Sequence, residues 1–143
     1  MQRLDPATPP KWGKMSVQQM IEHYAGDAVR NANGRLKIDS MLTPPENLER
    51  MREFMMSEKP FHENTRNPLM GEEPAALHYT TVQAAIGALQ QELIYFFEAY
   101  ERNPAMIIRN PFFGDLNFEQ NVQLLYKHAA HHLRQFGVEP LST

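Results

Sequence analysis

The sequence predicts an all-α fold: three substantial helices, one short helix and two long connections. Three observations carry that expectation. Apolar residues recur every three or four positions in four stretches, as the buried stripe of a helix requires. Alternation of apolar and polar residues over four or more positions, the mark of a half-buried strand, is missing throughout. Residues that start or stop helices stand at the ends of the periodic stretches.

The chain opens with a proline-rich arm, Met1 to Lys14, carrying Pro6, Pro9 and Pro10. Proline removes backbone donors and resists helix, so the arm is expected to be extended and pinned to the body by Trp12. Ser16, with Gln19 three residues later, fits a capping box for the first helix, and Gly34 is its expected stop. At about 100° per residue, Val17, Ile21, Tyr24, Ala28 and Ala32 form its buried stripe. His23 falls well off that stripe, beside Met20 and Asp27, and by periodicity alone is a surface residue.

Thr43, followed by Pro44 and Pro45, is a candidate cap for the short second helix. Leu48, Met51, Phe54 and Met55 give it one apolar side through about Ser57. From Glu58 to Tyr79 there is no period, only Pro60, Pro68, Gly71 and Pro74. A connection of that length in a compact domain is usually a functional or a flexible loop.

The third helix is expected to be capped by Thr80, with Val82, Ala85, Ile86, Leu89, Leu93, Phe96, Phe97 and Tyr100 on its buried face. It should stop near Asn103-Pro104, because the residue before proline is pushed out of helical geometry. Glu92 falls at the edge of its apolar face. The apolar loop from Asn110 to Gly114 should pack rather than stand free. Asn117 is the expected cap of the last helix, whose core face is Phe118, Val122, Leu125, Ala129, Leu133 and Phe136, with Gly137 at its end.

Composition narrows the function classes. One domain, 1–143, suffices for a chain of this length with no linker between two cores. A net charge of -3 without a basic cluster argues against nucleic-acid binding. No apolar run approaches the ~20 residues of a membrane span, and the start of the chain lacks a secretion signal. A cytoplasmic protein is expected. With no cysteine, any metal must be held by His, Asp or Glu. Lys127 and Gln135 read as surface positions, and the nine methionines as filler for irregular core space.

The histidines are the main chemical signal. Three of six lie between His128 and His132 on the last helix. Residues four apart share a helix face, so His128 and His132 can serve one metal ion. On the wheel His132 sits at the rim of the core face, His128 a little further round, and His131 nearly opposite. His131 therefore fits solvent, a substrate mouth or a subunit contact. A pair at this spacing also occurs in rim histidines that merely hydrogen-bond, and on the pair alone that plainer reading stands first. Asp27, one turn after His23, is either a carboxylate orienting that ring or a solvated charge. His62 and His78 read as loop or capping residues. No phosphate loop, dinucleotide fingerprint, nucleophile elbow or His-Glu-x-x-His motif is present.

Two segments carry a family resemblance. The entry Trp12-Gly13-Lys14-Met15-Ser16 with His23 beyond it resembles the Trp-Ser-to-His helix of the DinB/YfiT-like metalloenzyme superfamily. The run Tyr126-Lys127-His128, His131-His132-Leu133-Arg134-Gln135-Phe136-Gly137, preceded by Asn110-Pro111-Phe112-Phe113-Gly114, is similar to a branch of that superfamily without an assigned function. The resemblance spans roughly Leu4 to Lys37 and Asn110 to Val138. It implies a four-helix bundle of up-down-down-up type with long connecting loops. It also implies a divalent metal, zinc, nickel or iron, held by His23, His128 and His132, which turns His23 from a surface residue into a ligand. Members usually carry a helix before the Trp-Ser entry, and here only the arm precedes it. Either the short helix from Glu46 completes the bundle, or an apolar groove is left for a partner subunit; this departure favours a homodimer.

The expected function is a metal-dependent enzyme that activates water or a small thiol, as a hydrolase or a thiol transferase acting on a small-molecule substrate. Asp27, Glu92 and His131 are the candidates for supporting polar roles. The alternatives are a non-catalytic, stress-associated module binding a metal or ligand, and a dimeric interaction protein with a degenerate site.

Overall fold

A computed structural model describes residues 1–63 and 73–140. The middle of the connection expected from Glu58 to Tyr79, with Pro68 and Gly71, lies outside the described residues. The chain is mostly helical. Helix α1 runs as α-helix over Val17–His23, passes through a π-helical turn at Tyr24–Val29, and closes with Arg30–Ala32. A 3-10 turn at Pro45–Asn47 leads into α2, Leu48–Met56. Helix α3 spans Val82–Arg102 and α4 spans Phe118–Gln135. Among the described residues no helix is long and apolar enough to cross a membrane.

The capping chemistry at two helix starts is as the sequence implied. Ser16 Oγ accepts from Gln19 N–H, and Gln19 Oε1 accepts from Ser16 N–H. Asn117 and Gln120 repeat the reciprocal pair at α4. Two caps differ from expectation. Thr81, not Thr80, caps α3 by accepting from Ala84 N–H at 3.1 Å. Thr43 caps nothing; its hydroxyl donates to the Phe112 carbonyl at 2.7 Å and ties the chain ahead of α2 to the hairpin. A threonine hydroxyl serves either task, and the carbonyl that tertiary packing brings closest decides.

The expectation that no strand exists is also corrected. Strands β1, Ile108–Asn110, and β2, Gly114–Leu116, pair antiparallel with Arg109 opposite Asp115. Asn110 Oδ1 accepts from the Phe112 and Phe113 amides, which folds the three-residue loop. Gly114 takes φ +83°, the left-handed position that such a loop requires at its end. Three residues per strand are too few to display alternation.

Among the described residues two clusters of apolar side chains form the interior. The larger joins α1, α3 and α4 through Val17, Met20, Ile21, Tyr24, Val29, Ala85, Leu89, Phe96, Tyr100 and Leu125. The smaller places Met55 of α2 against Phe113, Leu116 and Leu124. Met20 and Met55 are fully buried, in keeping with methionine as core filler. The π turn explains one displaced position: Val29 is fully buried where the wheel gave Ala28, because the wider turn shifts the phase by one residue. Phe97 and Val122, expected on core faces, stand 52% and 38% exposed at the flanks of their stripes.

Lys127 is buried rather than on the surface. Its ammonium donates to the carbonyls of Phe54 at 2.5 Å and Ser57 at 2.9 Å, at the C-terminal end of α2, and lies over the Phe54 ring. This contact locks α2 to α4. Removal from water pushes the Lys127 pKa down.

Candidate metal centre

His23, His128 and His132 converge. One nitrogen from each ring lies within 4.8 Å of the others. The Nε2 atoms of His128 and His132 are 2.9 Å apart, inside the ~4 Å that two donors on one ion span. The four-residue step along α4 sets that pair on one face, as its spacing implied. His23 comes from the opposite wall, where its flank of α1 faces α4. Its side chain is 12% exposed, which corrects the surface reading from periodicity. A polar residue on a second buried flank looks solvent-facing on a wheel. The π turn begins at the next residue and contacts α4, so His23 stands where α1 meets that helix.

The two outer histidines have defined proton positions. Asp27 Oδ2 lies 2.8 Å from His23 Nδ1. A carboxylate only accepts, so Nδ1 carries a proton, and Nε2 is the nitrogen left to face a metal. At His132 the same result comes through an amide. Gln135 Nε2 donates to the Trp12 carbonyl at 3.0 Å, which leaves Gln135 Oε1 to accept from His132 Nδ1 at 2.9 Å. His132 Nε2 is then unprotonated. Gln135 is buried, not a surface residue, and Lys11 N–H also donates to its backbone carbonyl at 2.7 Å. The proline-rich arm is thus pinned as expected, and its anchor is the residue that orients a ligand.

Electrostatics favour the neutral form of His128 and His132. Burial lowers the pKa of His132 to about 3 and that of His128 well below 6.5, with the neighbouring histidines adding repulsion. Tyr24, whose phenol pKa burial raises, donates to the Leu125 carbonyl at 2.9 Å and sets its ring edge-on to His128. The donor set is three imidazole nitrogens, which suits zinc, nickel or iron.

The remaining candidates separate. His131 is partly buried outside the group, with its ring 5.5 Å from Trp12 and 5.3 Å from His132. Burial, then Arg134, lowers its pKa. Glu92 is buried and bound to Arg35 at 3.0 Å, to Arg30 at 3.9 Å and to Asn33, so it ties α3 to the end of α1. It lines a cleft of about 870 Å³ onto which His23 and Asp27 also open. His78 donates its backbone N–H to Glu22, and His62 stacks on Phe54. Sequence reasoning missed Gln135 and Phe61, whose ring meets those of His128 and His131 at 6.2 and 5.9 Å. Comparison with protein-family models, curated proteins and solved structures yields no match to this chain.

Proposed function

We propose that this chain is a metal-dependent enzyme of the DinB-like four-helix-bundle kind, with α2 completing the bundle against α4. The observation that carries the reading is the convergence of three imidazoles from two helices, with a partner on Nδ1 of His23 and of His132 that leaves Nε2 of each to a metal. His23, His128 and His132 would hold one divalent ion, zinc, nickel or iron, and three protein ligands leave positions open for reactants. When bound, the metal lowers the pKa of water or of a small thiol and so supplies a nucleophile at neutral pH.

The residues of the chain do the rest. Asp27 and Gln135 keep the ring protons of His23 and His132 on Nδ1, away from the donor atoms. Phe61 and Tyr24 pack around His128 and exclude water from that side of the ring. The substrate is a small molecule, with hydrolysis or thiol transfer as the reaction and a low-molecular-weight thiol as co-substrate of the second.

Protein purified without a histidine tag should carry about one ion per chain, falling sharply in His128→Ala and His132→Ala. Full metal content in both variants would sink the site. The reading includes a homodimer, because exposed Phe97, Val122 and Tyr126 place apolar surface on α3 and α4. Sedimentation of the wild type against Phe97→Glu tests it; a wild-type monomer at micromolar concentration refutes it.

A further inference from the structure

A second cleft, of about 600 Å³, adjoins the histidine centre. It shares two walls with that centre. His131 packs against His132, and the Phe61 ring meets both His128 and His131. The remaining apolar wall is made of rings as well, with Trp12 5.5 Å from His131 and Phe54 5.8 Å from Phe61. Among the described residues no Leu, Ile or Val lines it. Aromatic walls reward a planar π-system through offset and edge contacts, more than they reward a flexible alkyl chain. Among the described residues Lys59 and Arg134 supply two cations at this cleft against the carboxylate of Glu63. Arg134 pairs at 3.3 Å with Glu139, which is 82% exposed, and a pair that open to water yields readily to a better anion. A guanidinium beside aromatic rings matches a planar carboxylate in geometry and charge.

We infer that this cleft takes a small planar, unsaturated molecule bearing a carboxylate, its ring among Trp12, Phe54 and Phe61 and its anionic end toward Arg134. The role of that ligand as substrate rests on the metal-centre reading above; the ligand preference does not.

The chain has a single tryptophan, so the Trp12 indole N–H gives one resolved NMR signal inside the cleft. The test titrates the full chain, metal-stripped and zinc-loaded, with trans-cinnamate, cinnamyl alcohol and hexanoate. Cinnamate should shift the signal saturably and bind at least about fivefold tighter than either other probe. Arg134→Gln should weaken cinnamate on the order of tenfold and leave cinnamyl alcohol unchanged. Phe61→Ala should weaken both aromatic probes; if that variant loses its fold, Arg134→Gln carries the test alone. Hexanoate binding as tightly as cinnamate, or no saturable shift, overturns the inference. One metal ion per chain with no cinnamate shift overturns the cleft alone. A cinnamate shift in a wild-type chain that takes up no metal supports the ligand class and overturns the centre.

Discussion

Gln135 holds His132 from behind: its side-chain oxygen lies 2.9 Å from His132 Nδ1 while its amide nitrogen donates to the Trp12 carbonyl. Both ends of the amide are committed, so the ring cannot exchange its tautomer without breaking the contact to the arm. Gln135→Leu should therefore weaken metal binding about 10- to 100-fold, the usual effect of removing a partner that orients a ligand. Competition against a chromophoric chelator measures it. An affinity within about threefold of wild type would show that Gln135 only anchors the arm.

Asp27 offers the same test from the other helix with less effect on folding. Its side chain is 61% exposed, so Asp27→Ala should change stability by no more than about 0.5 kcal/mol. Metal affinity should nevertheless fall at least about tenfold, with Asp27→Asn intermediate because its oxygen still accepts from Nδ1. Equal losses in melting temperature and in metal affinity would count against a specific role for the carboxylate.

The first helix shows how much was legible and where reading stopped. Ser16, Gln19 and the stripe from Val17 to Tyr24 follow directly from spacing and capping chemistry, as do the paired faces of His128 and His132. The π turn after His23 has no residue signature, since it is a change in backbone bonding that packing selects. The inward placement of His23 rested on resemblance alone, because a wheel shows one buried stripe and not which second flank another helix covers. Lys127 and Gln135 escaped for a related reason. A helical wheel assigns polar side chains to solvent, whereas these two are buried on carbonyls that arrive from α2 and from the arm.

The depressed histidines set a pH dependence with a definite sign. His132 titrates near 6.5 when unfolded and at about 3 when folded, so between those values the unfolded chain binds the extra proton. Stability of the metal-free protein is then full above about pH 6.5 and falls as pH drops toward 3, by up to about 1.4 kcal/mol per pH unit for each such group. His128, also depressed, adds to the slope. Urea unfolding of metal-free protein at pH 7.5 and about pH 5 should show the loss, reduced in His132→Gln. A midpoint that does not move over this range would mean that the rings are not buried neutral.

Lys127→Met separates scaffold from centre. The substitution keeps most of the aliphatic stem but leaves the Phe54 and Ser57 carbonyls without their cationic donor. A loss of about 1–3 kcal/mol is expected from urea denaturation, the range for hydrogen bonds to a charged group. A change below about 0.5 kcal/mol would mean that water replaces the ammonium at the end of α2.

Gly13 links the arm to the centre in a way that a single methyl group tests. Its φ of +75° lies in the left-handed region, and a Cβ there would stand 3.1 Å from Gln135 Nε2. Gly13→Ala therefore faces two costs: about 1 kcal/mol of backbone strain, and a push on the amide that orients His132. The strain alone would lower the melting temperature and leave the metal untouched. The push would weaken metal binding as well, in the same direction as Gln135→Leu. Because the two effects run through one amide, the double variant Gly13→Ala/Gln135→Leu should bind metal no more weakly than Gln135→Leu alone. Additive losses of affinity would place the influence of Gly13 outside the path through Gln135.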